Sequence, residues 1–385
     1  MANQGAASSC CGEPPDKRQE AECGHESVSA ESSREPRSSH KPWVKEMLDT
    51  PVGEVPRVSA TLTKADRLGS WKAYWGIGRM RFRVEPGLYA VGRPTQESPI
   101  LVSANYKMSF DHLRSQLGGL DAWILVLETQ GINVWCAAGK GTFGTDEIVT
   151  RVTASRLSEV VSHRRLIVPQ LGAPGVAAHE VARRCGFRVV FGPVRAADLP
   201  AFLGAGMKAT PRMRRVRFPI RDRVVLIPVE LVGGAKHALL VATAFLVLAG
   251  LGPQGYSFDR VVGAGARDAA LFLATAVAAV VITPIFLPWL PGRPFSVKGL
   301  WVGLLMALAL GGYALAHPGA FGNWQSAAAW LLMIPSVSSF VAMNFTGAST
   351  YTSLSGVRRE MRVALPVQIA CAVVGASLWI AGRFF

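Results

Sequence analysis

The sequence predicts an α/β domain with a mainly parallel sheet, followed by an all-α membrane domain of about five helices. From about residue 98 to residue 230, short apolar runs alternate with amphipathic helical stretches, which is typical of α/β units. From about residue 237 onward, long apolar segments follow one another. Residues 1–41 contain almost no large apolar side chain. We therefore expect a disordered tail over 1–41, an α/β domain over 42–230 and a transmembrane domain over 231–385.

The α/β elements are placed by the apolar runs and by the helical periodicity between them. Their order predicts a Rossmann-like or flavodoxin-like sandwich, in which ligands bind beyond the carboxyl ends of the parallel strands. Side chains that directly follow a strand are therefore the first candidates for function. The predicted strands are Pro99–Ser103, Ala122–Glu128, Leu166–Val168, Arg188–Phe191 and Val224–Val229, and the predicted helices lie near Phe110–Leu117, Asp146–Ser155, Val176–Cys185 and Ala197–Leu203.

Five apolar segments follow the α/β domain. About 20 apolar residues cross a bilayer, so each segment is a candidate transmembrane helix, although the first and third are short. They lie near His237–Leu251, Ala269–Leu290, Gly299–Ala316, Trp324–Phe345 and Val363–Ala381.

The basic residues between these segments predict the orientation. Cationic runs over Lys208–Lys236, at Arg293 and Lys298, and over Arg358–Arg362 all fall on one side, which the positive-inside rule assigns to the cytoplasm. The charges between Asp259 and Asp268 fall on the outer side, a mild departure from the rule. We therefore expect a multi-pass protein of the cytoplasmic (inner) membrane with its α/β domain in the cytoplasm.

Composition limits the possible partners and cofactors. The formal charge of +15 is explained by cationic flanks of membrane segments, so nucleic acid is not expected as a partner. The cysteines show no paired spacing typical of zinc or iron–sulfur sites, so no iron–sulfur cluster is expected in this chain. In the tail, exposed thiols are a simpler interpretation than a soft-metal site that includes His25. The six cysteines are Cys10, Cys11, Cys23, Cys136, Cys185 and Cys371.

Residues 132–144, Ile-Asn-Val-Trp-Cys-Ala-Ala-Gly-Lys-Gly-Thr-Phe-Gly, form the most informative stretch. Asn133 can cap a short helix whose first turn carries Cys136, and glycines at 139 and 141 can end that helix. A lone cysteine is usually a small buried hydrophobe. Here Trp135 and the small residues around the thiol make a tight site, and Lys140 can offset thiolate charge. The pattern thus favours a ligand role for Cys136. Dinucleotide, P-loop and HExxH motifs are absent.

The Asn-Val-Trp-Cys-Ala-Ala-Gly-Lys string over 133–140 resembles the cap-helix signature of the HgcA family, the membrane-bound corrinoid proteins of microbial mercury methylation. The resemblance covers nearly the whole chain from about residue 97. It includes residues 101–111, 163–180, 192–196 and the stretch from Asn344 to Val357. The α/β part is also similar to the corrinoid domain of the corrinoid iron–sulfur protein of acetyl-CoA synthesis. This chain departs from that relative by lacking the cluster cysteines and by adding membrane helices.

The resemblance implies a cofactor and a set of site residues. The cofactor would be cobalamin or a related corrinoid, as methylcob(III)alamin, with Cys136 as the lower axial ligand of cobalt. The histidine motif of common cobalamin domains, Asp-x-His-x-x-Gly, is absent, since Leu-Arg-Ser follows Asp111 and His112. Ser103 and Ser109, taken as strand-end hydroxyls, and the backbone near Ala196 are secondary candidates for corrin amides, with turn or cap chemistry as the equal alternative. The cap helix would contact the corrin through Asn133, Val134, Trp135, Cys136, Ala137, Ala138, Gly139 and Lys140.

The same resemblance implies an enzyme, a corrinoid-dependent methyltransferase that gives methylmercury by transferring a methyl carbanion to Hg(II). An HgcB-type ferredoxin would reduce cobalt and deliver Hg(II), and a methyltetrahydrofolate-linked donor would supply the methyl group. One alternative is a methyl-carrying corrinoid protein of acetyl-CoA and one-carbon metabolism. Another is a membrane corrinoid-binding or transport module without turnover.

Overall fold

The computed structural model describes residues 41–345 and 354–385. The described chain divides into two compact units, with the boundary between Arg217 and Phe218. Residues 218–230, which the sequence analysis assigned to the α/β domain, therefore belong to the unit that contains the long apolar helices. The expected tail, with its three cysteines and His25, lies outside the described residues except for Lys41. Residues 346–353, within the Asn344–Val357 stretch of the resemblance, also lie outside them.

The first unit, described over 41–217, is built on one seven-stranded sheet in the order β1-β2-β3-β5-β4-β6-β7. Strands β5, β4, β6 and β7 are parallel, and β3 runs antiparallel to β5. An antiparallel hairpin, β1–β2, forms the other side of the sheet, with β2 parallel to β3. The strands are Val44–Thr50, Gly53–Val58, Gly87–Val91, Ile100–Ala104, Ala122–Leu127, Arg165–Val168 and Arg188–Phe191.

Helices cover both faces of this sheet, which confirms the predicted α/β class. Alternate residues of the central strands enter two different cores, because successive side chains of a strand point to opposite faces. Val102 and Leu125 pack in a core with α3 to α6, whereas Leu101 and Ile124 pack with α2 and α7. The helices are α1 Lys64–Tyr74, α2 Lys107–Ser115, α3 Val134–Lys140, α4 Thr145–Ala154, α5 Leu157–Val160, α6 Ala178–Cys185 and α7 Leu199–Gly204.

Four of the five predicted strands are present, and the fifth is wrong. The run Val224–Val229 is rich in β-branched residues, but it covers the end of a short helix, Ile220–Val224, a turn at Val225 and Leu226, and the start of the helix Ile227–Leu248. Pro228 lies in the first turn of the helical segment Ile227–Leu248. Backbone N–H groups in the first turn have no acceptor within the helix, so proline is tolerated there. The run is short and continuous with the apolar segment after it, so its periodicity could not distinguish a strand from the start of a buried helix.

The second unit contains five helices long and apolar enough to cross a membrane, as predicted, within the described residues. The first and third are longer than the predicted segments. Glycines allow the third and fourth to pack closely: a Cβ on Gly303 would lie 2.5 Å from Pro335 Cα, and one on Gly299 would lie 2.5 Å from the Ser338 carbonyl oxygen. The five are Ile220–Leu248, Phe258–Phe286, Phe295–Ala316, Trp324–Asn344 and Gly356–Ala381.

Candidate functional site

The cysteine-bearing helix α3 follows strand β5, at the edge of the sheet where the parallel strands end. Asn133 caps it as predicted: its side-chain oxygen accepts a hydrogen bond from the Cys136 backbone N–H at 2.9 Å. Gly141 ends the helix with a φ of +83°, a conformation that favours glycine. The chain thus fixes both ends of a two-turn helix around the thiol.

The two faces of α3 have different surroundings. Ala137 and Ala138 are buried in the core under the helix. Trp135 and Cys136 are half-buried on the opposite face, where Gly139 and Lys140 are exposed. A Cβ added to Gly139 would meet no protein atom within 4 Å. The face that carries the thiol therefore has open space beside it.

A buried asparagine, Asn105, holds the loop that leads into α3. Its side-chain oxygen accepts hydrogen bonds from the backbone N–H groups of Thr129 (3.2 Å) and Gly131 (2.9 Å), and its amide donates to Glu128 at 2.9 Å. Asn105 directly follows β4, so one side chain connects the ends of β4 and β5. It lies within the resembling stretch 101–111, but sequence reasoning did not select it because a buried amide cannot be distinguished there from a turn residue.

A close contact beneath α3 sets its position from the other side. A Cβ on Gly175 would lie 3.1 Å from Ala138 Cα and would collide with the Phe143 carbonyl oxygen. A Cβ on Gly172 would likewise enter the Phe143 ring. The 3₁₀ segment Gln170–Gly175 can therefore press against α3 only because these two positions lack side chains.

The secondary candidates lie on the α2 side of the sheet, whereas α3 packs on the opposite side. Ser103 is on β4, buried on the α2 face of the sheet, and its hydroxyl is 3.4 Å from the Ala104 carbonyl oxygen. The prediction that Ser109 ends a strand is wrong. It lies in α2, where its backbone N–H donates to the Tyr106 carbonyl. The run after β4 turns into a helix three residues earlier than the periodicity indicated. Ala196 begins a 3₁₀ turn after β7 and packs against the α2-side core.

A buried network of four charges joins α1 to α2. Lys107 Nζ lies 2.8 Å from Asp66 and 2.5 Å from Asp111, and Arg114 lies 2.8 Å from each of the two carboxylates. Burial raises the pKa of Asp66, but hydrogen bonds from Lys107 and Thr63 outweigh burial and hold that pKa well below its usual range. In the sequence, Asp111 is noticeable only as part of an incomplete cobalamin motif, and the network was not predicted.

The described residues contain no group of three or more His, Cys, Asp or Glu side chains that could hold a metal ion. A metal at α3 would therefore have to bring most of its ligands with it, as a macrocycle does.

Comparison with known proteins concerns the same part of the chain. Residues 76–203 match the family model of the CO dehydrogenase/acetyl-CoA synthase delta subunit. This range runs from before β3 through most of α7 and includes α3 with Cys136. It covers about a third of the chain, and the five long helices lie outside it.

Similar proteins include gamma subunits of the acetyl-CoA decarbonylase/synthase complex. The subunit of Archaeoglobus fulgidus is 30% identical over 127 residues, which are 32% of this chain and 27% of that protein. The subunit of Methanopyrus kandleri is 30% identical over 122 residues, 31% of this chain and 26% of that protein. Gamma subunit 2 of Methanosarcina mazei is 29% identical over 124 residues, with the same two shares. The chain thus matches only about a quarter of the length of these relatives.

Proposed function

We propose that this protein is a membrane-anchored corrinoid protein that carries a methyl group, with Cys136 as the ligand of the corrinoid cobalt. The observation that carries the proposal is the capped helix α3, which presents a cysteine beside an exposed glycine with open space around it. A glycine inside a helix costs roughly 0.5–1 kcal/mol relative to alanine. Among the described residues, no contact of Gly139 explains that cost, whereas a flat ligand lying on this face would.

The residues of α3 fit such a ligand. Gly139 is three residues after Cys136, so both lie on one helix face and a planar group can approach the thiol without meeting a side chain at 139. Ala137 and Ala138 anchor the opposite face, Asn133 fixes the first turn, and Val134 packs at the edge of the core. Trp135 and Lys140 flank the thiol. A bound corrinoid would supply a cobalt ion able to accept and release a methyl group.

We further propose that the methyl acceptor is Hg(II) and that the protein acts as a methyltransferase. As a thiolate, Cys136 would be a strong, soft electron donor to the cobalt of a bound corrinoid, which would favour release of a methyl group with both bonding electrons. Hg(II), an electrophile, accepts a methyl group in that form. The Asn133–Lys140 resemblance and the five long helices support this acceptor. A ferredoxin of the HgcB type would supply electrons and Hg(II), a folate-linked donor would supply methyl groups, and the α/β unit would lie in the cytoplasm.

The second candidate is a methyl-carrying corrinoid protein of acetyl-CoA metabolism. The gamma subunits to which this chain is similar are named as parts of the acetyl-CoA decarbonylase/synthase complex, and that similarity favours this role. Both candidates use the same cysteine and the same open helix face. They differ in the acceptor, so binding alone does not separate them.

Optical spectra and product analysis of the full-length protein test both levels of the proposal. The protein is incubated with methylcobalamin as wild type, as Cys136→Ala and as the matched control Cys185→Ala. We expect a thiolate-ligated spectrum in the wild type and the control and its loss in Cys136→Ala. An unchanged spectrum in Cys136→Ala would overturn the ligand assignment.

The acceptor is tested with the same three proteins and a reducing ferredoxin. Methylmercury formation that depends on Cys136 supports Hg(II) as the acceptor. Normal cobalt ligation without methylmercury, together with methyl transfer to an acetyl-CoA synthase, would instead establish the second candidate.

A further inference from the structure

An exposed apolar ridge runs along α1 and the segment after it. Leu68, Trp71, Ile77 and Met80 each leave 52–57% of their surface in contact with solvent. The Trp71 and Trp75 rings lie 6.0 Å apart on this ridge. Four large apolar side chains that are this close in sequence and this exposed are unusual on a soluble surface. They indicate an interaction site for a membrane or another molecule.

Cations border the apolar ridge. In α1, Asp66 and Ala73 point inward, so Leu68 and Trp71 lie on the outward face, with Lys64, Arg67 and Lys72 exposed on that face and at its borders. We call these seven exposed residues, with Arg81, the α1 face: Leu68, Trp71, Ile77, Met80, Lys64, Arg67, Lys72 and Arg81.

The segment that carries the α1 face, residues 64–84, contains no exposed acidic residue. Asp66 is the only acidic residue between Lys64 and Val84, and it is buried against Lys107 and Arg114. The α1 face is therefore both apolar and uniformly positive.

We propose that the α1 face binds the surface of an anionic lipid bilayer. A helix with tryptophan and leucine on an outward ridge and Lys or Arg beside it matches the layering of a membrane interface, since the apolar side chains enter the acyl boundary while the long cations reach the headgroups. A bilayer is available to this face, because the same chain carries five helices of membrane-crossing length. Helix α1 lies wholly before residue 76, where the family match begins, whereas Ile77, Met80 and Arg81 lie within the matched range.

The α1 face is connected to the loop before α3. A Cβ on Gly131 would lie 3.0 Å from the Met80 carbonyl oxygen, so the segment after α1 packs closely on the residues that lead into the cysteine helix. Lipid binding at the α1 face would therefore hold the carboxyl edge of the sheet near the membrane surface. The proposal does not depend on the identity of the cofactor.

The test uses the full-length protein in nanodiscs whose lipids carry bromine in the acyl chains, which quenches nearby tryptophan. The Trp71 contribution is the emission of the wild type minus that of Trp71→Phe. We expect this contribution to be quenched strongly in phosphatidylglycerol discs and weakly in phosphatidylcholine discs. Each cation near an anionic leaflet strengthens binding by about fivefold, so Arg67→Gln with Lys72→Gln should weaken docking by roughly 25-fold in phosphatidylglycerol.

A matched pair controls for total charge. Arg183→Gln with Arg188→Gln removes the same charge from exposed positions on α6 and β7 and should leave Trp71 quenching unchanged. Absence of quenching in both kinds of disc would overturn the proposal and leave a protein partner as the occupant of the α1 face. Equal quenching in the two lipids, unaffected by the α1 charge variant, would overturn the anionic-lipid assignment.

Discussion

Two glycines two residues apart in sequence, at the end of α3, serve different physical purposes. Gly141 has a φ of +83°, so its role is explained by the turn that ends the helix. Gly139 has ordinary helical backbone, and an added Cβ there would have no neighbouring atom within 4 Å, so neither strain nor packing explains it. Position 139 is thus one where a glycine lowers helix stability without a packing contact or a turn that requires it.

Gly139→Ala should separate stability from ligand binding. Without a cofactor we expect α3 to be stabilised by up to about 1 kcal/mol, because alanine loses less backbone entropy than glycine in a helix. Corrinoid affinity should fall, since the new methyl group projects from the face that carries Cys136. Hydrogen exchange of residues 134–140 and a corrinoid titration measure the two effects.

Gly204→Ala is the matched control for this prediction. Gly204 ends α7 and also has no atom within 4 Å of an added Cβ, so its replacement should leave corrinoid binding unchanged. Equal affinity of Gly139→Ala and wild type would argue against a ligand on this face of α3.

At the scale of elements, Asn105 connects β4, the end of β5 and the entrance to α3. Its replacement by alanine leaves the buried N–H groups of Thr129 and Gly131 without their acceptor. Each unpaired buried donor costs about 1–3 kcal/mol, so with two donors affected we expect Asn105→Ala to lower the free energy of unfolding by about 2 kcal/mol or more and to speed hydrogen exchange over residues 129–140. Thr129→Val, which removes one hydroxyl from the same cluster, should have a smaller effect. An effect of Asn105→Ala confined to residues before 105 would contradict this role.

The Asp66 network should make the first unit sensitive to acid. The pKa of Asp66 is lowered in the folded state, so its contribution is complete above the unfolded value of about 3.9 and is lost as the pH falls below it. Asp66→Asn should therefore cost about 3 kcal/mol at neutral pH, because Lys107 and Arg114 lose a buried partner, and should flatten the stability curve below about pH 4.

Chemical unfolding between pH 3 and pH 7 measures this dependence. Glu159→Gln, which breaks an exposed pair with Arg156, is the control and should change the curve far less. A parallel downward shift of the Asp66→Asn curve at every pH would show that the network's stability does not depend on this titration.

Periodicity predicted the parallel strands and most helices of the first unit, because buried runs such as Ala122–Leu127 are continuous and apolar. It gave no element between 42 and 97. Strand β1, Val44–Thr50, includes Lys45, Glu46 and Asp49 in a polar edge hairpin, so its apolar alternation is weak. The cap on α3 could be predicted because Asn-to-helix spacing is local. Asn105 and the Asp66 network could not, since their partners are distant in sequence.

At the scale of the whole molecule, the two ends of the long helices in the second unit have different polar contacts. At one end, Arg223 donates to the carbonyl oxygens of Pro284 (2.9 Å) and Ile285 (2.6 Å). The first of these carbonyls lacks a helical donor because residue 288 is proline. Lys298 caps the Leu287 carbonyl at the same end. Cations at this end therefore donate hydrogen bonds to carbonyl groups at helix ends, and by the positive-inside rule they also predict the orientation.

The opposite end holds its arginines with local acceptors. Asp268 is fully buried and pairs with Arg267 and Arg383, while Trp379 donates to the same carboxylate at 2.7 Å. Arg260 donates to the Gly250 carbonyl at 3.0 Å. In the predicted orientation this end faces away from the cytoplasm, and these contacts would explain how several arginines are tolerated there.

Reporter fusions can test the orientation that the positive-inside rule predicts. We expect alkaline phosphatase to be active after Phe385 and in the loop 317–323, because the Asp268 end lies outside, and inactive in the loop 287–294 beside Lys298. A fluorescent protein should give the reverse pattern. The α/β unit precedes the first long helix, so this result would place Cys136 in the cytoplasm, where reducing conditions keep its thiol available to a metal. Active phosphatase at 287–294 would invert the topology and place the cysteine where oxidation competes with ligation.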